Sequence, residues 1–294
     1  MVFIPEDGSF RFRRSVLFMP ASNERALGKA AAISCDSVIF DLEDAVSENE
    51  RPDALANLRK FVKDADFGGK ETIIRTGETR SRNFSADLKI AVECGVSAIL
   101  LPKVETAEMV ANVQKSLVSK GSDARLWAMI ETPLALMNLR EITTAGSAEE
   151  AGRLQCLVVG PNDLAKSTGV NLSNGRAAMH PWMMQIVAAA RACRMSVLDG
   201  VFNNFRDREG LSRECAEGAL MGFDGKTLIH PSQIEAANHA FGPSDTELER
   251  ARQIVDAFAR KENAGKGAIQ LDGEMIERLH LDMAKRLLDV ADAV

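Results

Sequence analysis

The sequence is poor in the residues that build soft metal centres. Its five cysteines, Cys35, Cys94, Cys156, Cys193 and Cys215, are odd in number and scattered, with no CxxC pair. This argues against a disulfide framework or a Cys-rich zinc site and suits a reducing compartment, so a cytoplasmic location is expected. The four histidines are also dispersed, none precedes His180, and HExxH is absent. If a metal binds, hard oxygen ligands are the only plentiful donors. No apolar run approaches the roughly 20 residues of a membrane helix. A net charge of −6 lacks the basic surplus of a nucleic-acid-binding face. Neither a membrane nor a nucleic acid is therefore an expected partner. The opening MVFIPEDGSFRFRR has neither the apolar core nor the cleavage pattern of a secretory signal, and is expected to form an arm or a contact with a neighbouring chain.

What the chain does have is a repeated alternation. Short apolar runs at 15–20, 37–41, 72–77, 97–103, 126–133, 156–163, 196–201 and 226–231 are separated by amphipathic stretches, among them Asn23–Ile33, Arg51–Lys63, Phe84–Glu93, Thr106–Val118, Ala177–Arg191 and Ser212–Met221. Continuous apolar strands alternating with helices indicate a parallel sheet covered by helices. Eight such units predict an α/β fold closed as a (β/α)8 TIM barrel, which takes about 250 residues as one unit. The predicted barrel spans 1–243. The remainder, 244–294, is expected to be a helical extension or lid. In it, Ser244 or Asp245 caps a helix, a Gly-rich connector follows, and EMIERLHLDMAKRLLDVADAV makes a final helix.

In such a barrel reactive groups gather at the C-terminal ends of the strands. Those ends carry Asp41, Glu43 and Asp44, then Arg75, Lys103, Glu131, Asp163, Asp199 and His230. Glu131 (WAMIETP) and Asp163 (VVGPNDLA) follow neighbouring strands, and two carboxylates without Cys or His favour Mg²⁺. Glu131 could instead be a buried partner of Arg75 or Lys103, and Asp163 a helix cap. Arg75 suits bidentate capture of a substrate carboxylate, or a structural ion pair with Asp41, Glu43 or Asp44, or both. Lys103 could pair with the same acids or supply charge to the substrate. A Schiff-base lysine is not expected amid so many carboxylates. Asp272, in the Gly-flanked connector, is either a helix cap or a lid residue that handles a proton.

The segments RRSVLFMPASNERALGKA, DSVIFDLEDAV, IIRTGE, ILLPKVE, MIETPLAL, VVGPNDLA, LIHPSQIE and LDGEMIE run in order from Arg13 to about Glu277. Together they resemble the citrate lyase β-subunit-like branch of the HpcH/HpaI aldolase superfamily, which also contains malyl-CoA and citramalyl-CoA lyases. The resemblance implies a homotrimer or hexamer in which the C-terminal segment covers a neighbour's active site. It implies Mg²⁺ on Glu131 and Asp163, and Arg75 on the substrate carboxylate. Phe18, Lys29, Ile229 and His230 match contacts to the CoA thioester, and Asp272 matches the acid reaching into the adjacent site. Asn23 stands where some malyl-CoA lyases have an arginine.

The implied activity is Mg²⁺-dependent carbon–carbon cleavage of a citryl-, malyl- or citramalyl-type 3-hydroxyacyl-CoA to acetyl-CoA and a 2-oxo acid. Asp41, Glu43, Asp44 and Lys103 would then orient Arg75 and metal-bound waters. Thioester hydrolysis, aldol chemistry on free hydroxy-oxo acids, and a non-catalytic CoA-binding subunit are the alternatives.

Overall fold

The computed structural model describes residues 11–146, 152–173 and 175–291. Most of the expected N-terminal arm, and the SAEEA that leads toward the sixth strand, lie outside them. Arg13–Ala240 form one compact unit, and the chain from Phe241 onward belongs to a second.

The first unit is a closed barrel of eight parallel strands in sequence order: β1 (Ser15–Pro20), β2 (Ser37–Asp41), β3 (Glu71–Arg75), β4 (Ala98–Leu101), β5 (Arg125–Ile130), β6 (Leu154–Val159), β7 (Ser196–Asp199) and β8 (Gly225–Leu228), with β1 closing on β8. The strands are apolar on both faces because one face meets the helices and the other fills the interior. Val16, Ile39, Ile73, Leu100, Trp127, Val158 and Leu198 pack together inside. Side chains alternate along a strand, so each inward line continues two residues at a time toward the C-terminal rim. Ile39 leads to Asp41, Ile73 to Arg75, and Trp127 through Met129 to Glu131. At the opposite end Arg13 forks onto Glu71 at 2.7 and 2.9 Å and lies over the Trp127 ring at 5.0 Å, closing the floor.

The outer layer comprises α1 (Glu24–Leu27), α2 (Arg51–Phe61), α3 (Phe84–Glu93), α4 (Ala107–Ser119), α5 (Pro133–Met137), α6 (Leu139–Gly146), α7 (Pro161–Thr168), α8 (His180–Ala192), α9 (Arg208–Met221) and α10 (Ile234–Phe241). The expected helix over Asn23–Ile33 is instead one capped turn and a separate 3₁₀ turn, because Gly28, a weak helix former, ends α1. After β5 the chain forms two short helices, α5 and α6, with Asn138 as the C-cap of the first.

In the second unit Ser244 and Glu247 form a reciprocal capping box that starts α11 (Asp245–Ala259). The connector is not a plain loop. It folds into a hairpin of β9 (Ala268–Leu271) and β10 (Glu274–Glu277), and α12 (Arg278–Ala291) begins only afterwards. Asp272 and Gly273 are the two turn residues, with φ of 52° and 84°. An Asp-Gly pair with both φ positive is the turn that matches strand twist in a two-residue hairpin. Asp272 is thus a turn residue and not a helix cap, six positions ahead of the helix it was expected to start.

Candidate active site

At the C-terminal end of the barrel lies a cavity of about 380 Å³. Phe18, Asp41, Asp44, Arg75, Met129, Glu131, Gly160, Asp163, Val201, Asn203, Thr227 and Ile229 are among its lining residues. Most of them continue the inward lines of the strands, so the same alternation that fills the core builds the site.

Glu131 follows β5 directly and is almost completely buried. The next residue, Thr132, caps α5 through a bond from the Ala135 N–H at 3.1 Å, which fixes the chain leaving the glutamate. One carboxylate oxygen accepts the Lys103 backbone N–H at 2.7 Å. Lys103 gives up that N–H from a left-handed backbone, φ 46°, rare for a residue with a side chain. Gly160 leaves the space beside the other oxygen: a Cβ there would lie 2.4 Å from both Glu131 Cβ and Oε2. Burial, then the charge of Glu43 and after it that of Asp163, push the Glu131 carboxyl up to about 8 against the Lys103 N–H and Arg75. Asp163 sits in the first turn of α7, whose cap is Gly160, so Asp163 is not that helix's N-cap.

Arg75 is buried and its fork is already engaged. Nε and Nη2 donate to the two oxygens of Asp41 at 2.6 and 2.7 Å. Its Nη1 lies 3.0 Å from Glu43 and 3.4 Å from Asp44, while its guanidinium stacks over Phe18 at 4.8 Å. The structural ion pair is therefore present, and Nη1 is the part of Arg75 with no bidentate partner. Asp41 also accepts the N–H groups of Glu43 and Ala45, holding the acidic loop in its turn. Glu43 Oε2 is off the direction of the nearby Arg75 N–H and is buried without a hydrogen bond. Burial raises the Glu43 carboxyl to about 7, with Asp44 and Asp41 adding to it and Arg75 and Lys103 opposing. Lys103 Nζ bridges Glu43 at 3.3 Å and Glu78 at 2.7 Å. Burial opposes its charge, but the hydrogen bond to Glu78 and the two glutamate charges outweigh it, and the ammonium is held above its ordinary value. A neutral, nucleophilic amine is not what this setting produces.

The other expected residues are spread more widely. Phe18 and Ile229 line the cavity, whereas Lys29 and His230 are exposed and do not. The Ile229 N–H donates to Gln233 at 2.9 Å, and His230 stacks on Phe205 at 4.7 Å. Asp272 is in the second unit, where it accepts from Arg250 at 2.8 Å. Asp199 was expected at the rim and does not reach it. One position beyond inward-facing Leu198, it points outward and is fully buried, bonded to Lys226 at 2.7 Å and Arg176 at 2.5 Å. Gly160, which nothing in residue type marked as functional, is the residue that makes room for Glu131. Its place two positions beyond inward-facing Val158 was the available signal.

The carboxylates fit a divalent cation. Glu131 and Asp163 line one cavity and repel each other, and the donors are all oxygen, the chemistry of Mg²⁺ rather than Zn²⁺. Among the described residues no group of three or more His, Cys, Asp or Glu is placed to hold a metal. Glu131 and Asp163 are the residues that would hold the ion, with water or substrate oxygens as its further ligands.

Comparison with known proteins gives the family. The chain is 41% identical over 281 residues to a (3S)-malyl-CoA thioesterase of Cereibacter sphaeroides, covering 96% of this chain and 95% of the relative. It is 30% identical to the citrate lyase subunit beta of Leuconostoc mesenteroides subsp. cremoris, covering 96% and 94%. Among solved structures, the CitE protein of Mycobacterium tuberculosis in complex with magnesium, acetoacetate and coenzyme A superposes with a TM-score of 0.74 at 29% identity, over 95% of this chain and 97% of that one. The description HpcH/HpaI aldolase/citrate lyase matches residues 14–231, nearly the whole barrel unit that carries the cavity, and the chain belongs to that family.

Proposed function

We propose that the protein is a Mg²⁺-dependent lyase that cleaves a 3-hydroxyacyl-CoA to acetyl-CoA and a 2-oxo acid. The observation that carries this reading is the pairing, in one cavity, of an all-oxygen donor set at Glu131 and Asp163 with the guanidinium of Arg75. Bound between those carboxylates, the cation would supply Lewis-acid polarisation of the substrate's hydroxyl and neighbouring carboxylate oxygens.

Arg75 Nη1 orients that carboxylate, and Phe18 and Asp41 hold the guanidinium still. The hydroxyl proton passes to solvent water, and the bond between the hydroxyl carbon and the thioester's α-carbon breaks. The electron pair passes to the thioester as an enolate, and protonation yields acetyl-CoA. Asp272, brought by the C-terminal unit of a neighbouring copy in a trimer or hexamer, is the proposed proton donor. Phe18, Lys29, Ile229 and His230 are the proposed CoA contacts. The five cysteines, all free thiols, fit a cytoplasmic enzyme. Among the described residues no helix is long and apolar enough to cross a membrane.

Arg75 is the one cationic side chain among the residues lining the cavity. That favours malyl- or citramalyl-type substrates, with one free carboxylate, over the citryl type with two. The identity to a named malyl-CoA thioesterase supports a second reading, hydrolysis of the same thioester.

Product analysis with malyl-, citramalyl- and citryl-CoA, with and without Mg²⁺, separates these outcomes. Acetyl-CoA plus a 2-oxo acid supports cleavage, and free CoA plus the hydroxy acid supports hydrolysis. Turnover that is indifferent to Mg²⁺ and to Glu131→Gln contradicts both. Asp272→Asn should lose turnover while retaining Mg²⁺ binding; full activity would remove Asp272 from the mechanism.

A further inference from the structure

Arg51 and Asp87 lie on the helix side of the barrel wall and line no part of the cavity, yet their bonds reach two segments whose neighbouring residues line it. Arg51 is the first residue of α2, and Asp87 sits in the first turn of α3, fully buried. Arg51 Nη1 donates to the Leu42 carbonyl at 2.8 Å, and its Nη2 pairs with Asp87 Oδ2. The same Asp87 oxygen accepts the Gly77 N–H at 2.8 Å. Leu42 directly follows Asp41, and Gly77 is two residues beyond Arg75. The pair thus ties the segment carrying Asp41, Glu43 and Asp44 to the segment carrying Arg75, from behind.

The bonding pattern favours positioning over simple stability. Arg51 Nε and Asp87 Oδ1 are buried without a hydrogen-bond partner, as are Thr76 Oγ1, Thr79 Oγ1 and Ser81 Oγ in the same loop. Leaving buried polar atoms unpaired costs free energy. Here the satisfied atoms are those that reach the two active-site segments.

We infer that Arg51 and Asp87 are positioning residues that set where the Arg75 guanidinium faces the cavity, an inference that rests on the proposed role of Arg75 only for its catalytic consequence. A misplacement of about 1 Å at such a group can cost about 100-fold in rate.

The direct test is independent of activity: hydrogen exchange of the Arg75 Nε–H, read by NMR in wild type, Asp87→Asn and Arg51→Lys. The expected result is exchange at least about tenfold faster at Arg75 in both variants, with the Arg13 Nε–H on Glu71 unchanged as the internal control. Unchanged exchange at Arg75 in the folded variants overturns the inference. So does equal acceleration at Arg13, which signals general loosening. Arg51→Lys keeps the charge and a single ammonium, so it gives a folded variant if Asp87→Asn does not. Where the lyase assay is active, kcat/KM should fall about 10- to 100-fold with Mg²⁺ affinity unchanged. An inactive wild type would defeat the proposed function and leave the exchange result standing.

Discussion

Two clusters of charge are built into the same barrel wall, one facing in and one facing out, and they are finished in opposite ways. The outward cluster is saturated. Asp199 has both Lys226 and Arg176, Lys226 also meets Glu214 at 2.7 Å, and Arg176 meets Glu217 at 2.7 Å. Burial opposes its charge, but the two cations overcome it and hold the Asp199 carboxyl below its ordinary value. The inward cluster is short of positive charge. Arg75 is shared among Asp41, Glu43 and Asp44, and Glu131 and Glu43 sit well above the usual carboxylate range. The same barrel saturates a buried carboxylate at Asp199 and does not do so at the inward cluster, which supports the proposed ligand there.

The largest effect should come from breaking the saturated cluster. Lys226→Met leaves Asp199 with only Arg176, and removing one partner of a buried pair costs about 3–5 kcal/mol. Chemical denaturation should show that loss, while kcat of the folded enzyme stays near wild type. A large fall in kcat without a stability change would mean that the two clusters are not separate in function.

Gly160→Ala tests the other side. The new Cβ forces Glu131 to move, so stability should fall by about 1–3 kcal/mol and Mg²⁺ affinity of the folded protein about 10- to 100-fold in calorimetry. Unchanged affinity would mean that Glu131 does not hold the ion.

The subtlest contrast is in pH. Asp199 titrates lower in the folded chain than in the unfolded one, so its contribution is present above about pH 3.9 and lost as acid protonates it. Glu131 at about 8 and Glu43 at about 7 run the other way. From about pH 4.3 upward the unfolded chain has lost protons that the folded one keeps. Metal-free protein should therefore lose melting temperature as pH rises from about 5 to 8. Glu131→Gln should reduce that slope, and the acid limb should weaken in Asp199→Asn. A metal-free stability that rises over the same range would contradict the assignment.

Much of this was legible in the sequence because strand alternation is strict. All eight apolar runs became barrel strands, and Asp41, Arg75 and Glu131 fall on the inward parity set by Ile39, Ile73 and Trp127. Asp199 was misplaced because strand-end position alone was weighed; its parity with Leu198 pointed outward. The hairpin at Asp272-Gly273 was written in the Asp-Gly pair, but the glycine-rich flanks read as a loop. Gly160 and the Arg51–Asp87 pair act through space and through backbone groups, and residue type alone does not announce either.

On the proposed function, the inward carboxylates are unsaturated because a divalent cation binds between them. Calorimetric titration of Mg²⁺ at pH 7 in buffers of different ionisation enthalpy tests it directly, since a metal binds the deprotonated ligand. Wild type should bind with release of about one proton, and Glu131→Gln should lose that release. Absence of Mg²⁺ binding, or binding with the same proton release in Glu131→Gln, would contradict it.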